Sequence, residues 1–343
     1  MKLYEITIRP VSGFGTPLKG DTLFGHFCWQ AAYDASILNG GLNQWIACYA
    51  EKPCAVFSTA WPKLRDKDRF YYAVKRPDLP LSRLFPSRAV DKKTAMMERK
   101  ENAEKKWMLI SEDLRISLFP EMFKNDSDII EMAGKDLADE TRKALRGSPQ
   151  KALVEDFHQP HNSINRMTDT TGEGKFAPYE QNAGYYYYPE TELAVFALID
   201  EDATDIRRVG LAMERIGKSG FGRDSSTGLG RYEMGGMQQR QIPAAAGACY
   251  TLAPSIPETG VYRDCYFTPF TRFGRHGDFL ARSANPFKNP VIMADEGAVL
   301  IPKDKGKKAT PYLGRPGVNV SKIMPETVVQ GYAPWLPLTW EIE

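Results

Sequence analysis

The stretch 218–231, KSGFGRDSSTGLGR, concentrates more chemistry than any other part of the sequence. Ser219, Gly220, Gly222, Ser225, Ser226, Gly228 and Gly230 are glycines or small hydroxyl residues in close succession, so the backbone can approach a ligand and turn N–H groups toward an anion. Lys218, Arg223 and Arg231 add positive charge, and a polyanion fits such a loop. The GK[ST] ending of an ATP-binding P-loop is missing and the spacing is not G-x-G-x-x-G, so no nucleotide cofactor is expected. A tight helix-to-strand connection would also use glycines; the interleaved arginines and serines tip the reading toward phosphate contact.

A second cluster, HQPHNSINR at 158–166, holds His158, His161, Asn162, Ser163, Asn165 and Arg166. Pro160 forbids a continuous helix between the histidines and no further ligand stands at helical spacing, so no metal is expected. A histidine pair beside an arginine could act as general acid and base on a ribose 2′-OH. Hydrogen bonding to phosphates, sugars and base edges of single-stranded RNA is the simpler use of Asn, Ser, His and Arg, and no third catalytic group is identifiable. The four tyrosines at 185–188 would alternate faces in a strand, which favours packing over stacking for most of them. Arg272, Arg275 and His276 form a basic turn, TRFGRH, that reads equally as a solvated hairpin tip or an RNA contact.

These residues sit in a chain of 343 residues with formal charge +2 and 42% hydrophobic residues, ordinary values for a globular protein of about two domains. The near-zero charge hides segregation. Residues 62–106 carry 14 Lys+Arg against 7 Asp+Glu; 111–156 carry 11 acids against 7 bases, and 190–205 six acids and no base. That pattern suits an RNA face and protein faces on one chain. Five cysteines without a C-x-x-C pair suggest reduced thiols. No apolar run long enough to span a membrane and no signal-peptide pattern at the N-terminus point to a cytoplasmic protein starting near Met1, with no membrane partner.

Residues 2–9 alternate as a strand with Tyr4, Ile6 and Ile8 on one face and Glu5, Thr7 and Arg9 on the other. A Gly/Pro-rich loop follows, then a helix that Asp21 or Thr22 would cap, with Leu23, Phe24 and Phe27 on its buried face. Further strands are expected at 55–60 and 193–199, then a helix capped by Thr204 and ended by Gly217, then a strand at 231–234. Strand, helix, strand, strand, helix, strand is the split βαβ pattern, with 61–189 as a long insertion that is basic and helix-prone through 91–106. A boundary is expected at Gly235, Gly236 and 243–247. Beyond it a smaller α+β unit should contain strands at 250–252, 262–268, 291–293, 299–301 and 327–332.

The sequences KGDTLFGHFCW, HNSINRMTDTTGEGKFAPYE, GFGRDSSTGLGRYE, TLAPSIPE, then FTRFGR and KNPVIMADEGAVLIP, in that order, resemble the Csm subunit four family of type III-A CRISPR effector complexes, RAMP proteins of the Cas-five group. The resemblance implies an α+β chain of two ferredoxin-like (RRM-like) domains, 1–240 and 241–343, the first carrying a thumb-like region at about 61–189. It implies a cytoplasmic, prokaryotic scaffold without catalytic activity or cofactor. Its partners would be the 5′ tag of the CRISPR RNA, the large Cas-ten subunit and a backbone RAMP subunit, with target RNA met only indirectly. The residues it implicates in RNA binding are Lys19, Asp21 and Thr22, then His161, Asn162, Asn165 and Arg166, then 218–231; the thumb would add Arg76, Lys92 and Lys93, and the basic turn would add Arg272 and Arg275. Two other functions remain: a metal-independent ribonuclease that uses His158 or His161 to process precursor RNA, and an interaction module whose basic insertion binds acidic protein.

Overall fold

The computed structural model describes residues 1–86, 91–174, 177–242, 247–303 and 310–339. Of the expected boundary, Gly235 and Gly236 lie inside a strand, Tyr232–Arg240, and most of 243–247 lies outside the described residues. Strand β1 (Lys2–Pro10) buries Ile6 and Ile8 completely, as its alternation requires. Its other face is buried too: Glu5 is 2% and Thr7 4% exposed. Burial by itself pushes the Glu5 pKa up, but Lys63 at 2.8 Å, the Tyr72 hydroxyl at 2.8 Å and Arg240 outweigh it and hold the carboxylate below its ordinary range. A polar residue on this strand therefore belongs to an internal ion-pair cluster.

Helix α1 (Gly20–Tyr33) follows the first loop and places Leu23, Phe24 and Phe27 in the core. Neither Asp21 nor Thr22 caps it; the cap position is Lys19, without a side-chain bond, and both residues lie inside the first turn. Helix α2 (Leu42–Ala47) leads to β2 (Ala55–Phe57), and then β3 (Trp61–Asp66) and β4 (Arg69–Lys75) form a hairpin turned at Lys67, whose φ is 56°. Short α3 (Leu81–Leu84) precedes α4 (Lys92–Glu104), capped by Asp91, which accepts from the Lys93 and Thr94 N–H groups. Next come β5 (Trp107–Ser111), β6 (Ile116–Ser117), β7 (Phe123–Lys124), α5 (Asp126–Gly134) with an Asn125/Asp128 capping box, and α6 (Asp139–Gly147).

Strands β8 (Val154–His161) and β11 (Tyr179–Tyr187) form a two-stranded ribbon whose far end carries β9 (Ile164–Asn165) paired with β10 (Thr170–Thr171). The uninterrupted apolar run of β12 (Glu192–Ile199) returns the chain to the sheet. Helix α7 (Ile206–Ser219) is capped by Asp205, which accepts from Arg207 and Arg208 N–H, while the expected cap, Thr204, donates its hydroxyl to Ile37 O at 2.7 Å. The helix also runs past Gly217 and stops at Gly220, φ 94°, whose N–H closes on Ile216 O. The strand expected at 231–234 is longer, β13 (Tyr232–Arg240).

These strands form one eight-stranded antiparallel sheet, β13-β1-β12-β3-β4-β5-β7, with β2 paired to β12. The first part of the 61–189 segment thus extends the main sheet; outside that sheet stand the helices α3 to α6, the ribbon and the short strand β6. Helix α5 packs its buried Ile129 with Leu64 of β3 and Ala73 of β4. The second sheet contains β14 (Ala248–Thr251), β15 (Tyr262–Tyr266), β18 (Val299–Pro302), β19 (Tyr312–Gly314) and β20 (Tyr332–Thr339) in the order β15-β18-β14-β20-β19, with β6 parallel to β20; β16 (Pro269–Arg272) pairs with β17 (Val291–Ala294) separately. The strand expected at 327–332 begins only at Tyr332. One continuous core runs through both sheets, from Ile6 and Phe196 to Tyr250, Val299 and Leu336. Among the described residues, no helix is long and apolar enough to cross a membrane.

Candidate nucleic-acid interface

The glycine-rich segment is the connection from α7 to the edge strand β13, and it folds onto the loop that follows β1. Phe221 is fully buried and its N–H donates to Gly230 O at 2.9 Å, closing the segment on itself. Four backbone donors then tie it to its neighbours. Gly222 N donates to His26 Nε2 (3.0 Å), Arg223 N to Thr16 Oγ1 (2.9 Å), Arg231 N to Ser12 Oγ (2.9 Å) and Gly230 N to Gly13 O (2.8 Å). These N–H groups, expected to face an anion, instead shape the loop. At Gly230, φ 74°, an added Cβ would lie 2.1 Å from Phe221 O, so only glycine fits. Burial pushes the His26 pKa down to about 4, which keeps its imidazole neutral and able to accept. Sequence reasoning missed Ser12, Thr16 and His26. The signal was there for two of them, since Ser12 and Thr16 are the hydroxyl residues of the Gly/Pro-rich loop.

What the loop presents outward is side chain. Lys218, Ser219, Arg223, Ser226 and Gly228 are exposed, Gly222, Ser225 and Arg231 half-buried, and Gly220 and Gly230 buried. Lys218 pairs with Glu214 at 2.6 Å and Arg223 with Asp224 at 3.1 Å, both on the surface, where such pairs exchange readily for a phosphate.

The ribbon roots in the same loop. Phe14 and Tyr185 exchange backbone hydrogen bonds of 2.9 and 3.0 Å and stack their rings, and Tyr187 packs edge-on to Phe14. Tyr186 stacks on Phe157 over Gly13. The tyrosine run is thus packing, as expected. Toward the far end of the ribbon His161 stacks on Tyr179 (centroids 5.3 Å apart) and Asn165 accepts from Met167 N, while Asn162 and Arg166 are exposed. His158 lies 3.7 Å from Glu180, and its offset of three from His161 puts the two imidazoles on opposite faces of β8. They do not converge on one phosphodiester.

Other expected contacts are engaged elsewhere. Lys19 is buried; it pairs with Asp295, with Glu296 at 2.9 Å, and lies over the Phe270 ring. Asp21 holds Arg272 in a two-bond ion pair, 2.5 and 2.8 Å, and Thr22 is half-buried in α1. Arg76 donates to Asn102 O and Lys105 O, both at 2.9 Å, and so closes the C-terminal end of α4. Lys92 and Lys93 are exposed at the start of that helix. Arg275 is exposed and donates to Ala281 O. No group of metal-ligating side chains occurs among the described residues, and all five cysteines are free thiols.

The site thus stands on an antiparallel α+β fold in which a glycine-rich connection joins a core helix to an edge strand. Its particular likeness is to Csm4. Over 100% of both chains it superposes on a chain of a Csm1-Csm4 cassette in complex with cA4, with TM-score 0.53 and 14% identity, and of the cassette in complex with cA3, with TM-score 0.51 and 15% identity. It also superposes on a chain of the Csm3-Csm4 subcomplex of a type III-A CRISPR-Cas interference complex, over 99% of this chain and 100% of that one, with TM-score 0.50 and 10% identity. The subunit common to these assemblies is Csm4, and the fold is Csm4-like. No family model matches the sequence, and no curated protein matches it.

Proposed function

We propose that the chain is a non-catalytic RNA-binding scaffold of a type III CRISPR effector complex, which holds the repeat-derived 5′ tag of the CRISPR RNA and links the large Cas-ten subunit to the backbone RAMP subunit in the prokaryotic cytoplasm. The observation that carries the reading is the union of three separate sequence motifs. The loop at 12–16 buttresses the glycine-rich segment, which presents Lys218 and Arg223, through Ser12, Gly13 and Thr16, and it buttresses the root of the ribbon through Gly13 and Phe14, while Asn162 and Arg166 stand exposed toward the ribbon's far end. We read the chain as two ferredoxin-like domains, 1–240 and 241–343, with the thumb-like region inserted in the first. The placement of β1 between β12 and β13, with α1 and α7 as the intervening helices, supports the first of them. Lys19, Asp21, Arg76 and Arg272 act as positioning groups in this reading, and RNA contact falls to the exposed side chains.

The test is the nucleic acid that co-purifies with the complex, sequenced at its 5′ end, together with filter binding of a repeat-tag oligonucleotide. Wild type should retain tag RNA, and Arg223→Ala with Arg231→Ala should weaken capture and lower its salt dependence. Assembly and tag protection indistinguishable from wild type in that variant would remove the loop from the interface. Cleavage of repeat RNA in EDTA would overturn the non-catalytic assignment.

A further inference from the structure

The β16–β17 hairpin continues beyond its strands: Lys288 N donates to Gly274 O, Arg275 bridges Phe287, and His276 N donates to Pro286 O. Residues opposite each other across a hairpin share a face, as do residues two apart along a strand. Thr271 stands opposite Ile292 and Arg275 opposite Phe287, with Phe273 between Thr271 and Arg275. That face is open to solvent: Phe273 is 75%, Phe287 66% and Ile292 72% exposed. The reverse face is anchored. There Arg272 binds Asp21, Met293 is buried, and the His276 imidazole bonds Ser321 at 2.8 Å. Large rings are therefore held outward on a fixed support.

Residues 269–294 contain four basic side chains, Arg272, Arg275, Arg282 and Lys288, against one acid, Asp278. Asp21 offsets Arg272, whereas Arg275 and Arg282 are exposed, and the Arg275 guanidinium lies 5.6 Å over the Phe287 ring. An apolar protein surface gains nothing from surplus positive charge. Single-stranded nucleic acid uses both features, a π-face for each base and a cation for each phosphate. We propose that this face is a sequence-tolerant stacking platform for unpaired bases of single-stranded RNA, with Phe273 and Phe287 receiving bases and Arg275 and Arg282 neutralising the adjoining phosphates. The proposal rests on the RNA-binding reading above and gives the strand a second surface beside the glycine-rich loop.

Filter binding of the full chain to a labelled single-stranded oligouridine and to an RNA duplex, across a salt series, tests it. Phe273→Ala and Phe287→Ala should each weaken single-strand binding roughly 5- to 150-fold with the salt slope unchanged, and leave duplex binding alone. Phe273→Leu, which keeps apolar area and removes the ring, should not restore it. Thermal melting should be unchanged, because both rings are exposed. If the phenylalanine variants bind like wild type while Arg223→Ala weakens binding, the platform is wrong and the RNA reading stands. If wild type binds no RNA, both fall. Restoration by leucine, or loss of a co-purifying protein subunit at unchanged RNA affinity, would make the face a protein-docking surface and overturn the proposal.

Discussion

The bond from Gly222 N–H to His26 Nε2 requires a neutral imidazole, and burial supplies one by pushing the pKa from 6.5 to about 4. The unfolded chain takes up this proton first as the pH falls. The contribution of His26 is therefore complete above about pH 6.5 and is lost as the pH drops toward 4. Melting wild type and His26→Gln near pH 7 and near pH 5 checks the sign: the wild type should lose more on acidification, and equal losses would show that His26 does not govern this slope. Individual residue roles were only partly legible in the sequence. Lys19, Asp21, Arg76 and Arg272 were expected at RNA, and each engages protein groups, as far as 277 positions away for Lys19 and Glu296. Local spacing cannot say whether a lysine meets a phosphate or a distant carboxylate.

The glycine-rich connection works as an element because several of its backbone positions admit nothing larger. Gly230→Ala must accommodate both the left-handed φ and the Phe221 carbonyl, whereas Gly228, φ 101°, has open space around its α-carbon. Gly230→Ala should cost more than the roughly 1–3 kcal/mol of a strained backbone alone and should reduce RNA capture, while Gly228→Ala should stay near that figure. Chemical denaturation of both variants distinguishes them; equal costs would show that the loop yields around Gly230. Elements with a strong period were legible in advance: β1, α1, β12 and α7 all fall where the apolar pattern put them. Others were masked by their own composition. Charged residues obscured β3 and β4, WPKLRD and RFYYAVK, and Pro334 and Pro337 hid β20, although both prolines are tolerated within its ladder.

Across the whole molecule, the seam near Lys19 joins the first loop to the β17–β18 turn. Burial raises the Glu296 pKa to about 7, while Asp295, against the effect of its own burial, is held below its ordinary value by a hydrogen bond with Glu296 and by Lys19 and Lys75. Removing the lysine strands these two acids. Lys19→Ala should destabilise the protein by about 3–5 kcal/mol near neutral pH, the usual cost of breaking a buried pair. The penalty should be greatest well above pH 7, where Glu296 is charged with and without Lys19, and should settle at a lower value once the pH has fallen through about 7 and the acid is protonated in both; Glu296→Gln should recover part of it. Melting temperatures of the single and double variants report this; strictly additive losses would show that the two side chains are uncoupled. Chain order bears on how the core is made. Strand β1 lies between β12 and β13, with Lys2 opposite Ile199 and Leu3 opposite Arg240. At the roughly 5–20 residues per second of protein synthesis, on the order of 10–50 s separate the emergence of β1 from that of its last partner. During that interval Ile6 and Ile8 lack the strands that flank them in the sheet, so β1, one strand in from the edge strand β13, needs shielding until β12 and β13 follow.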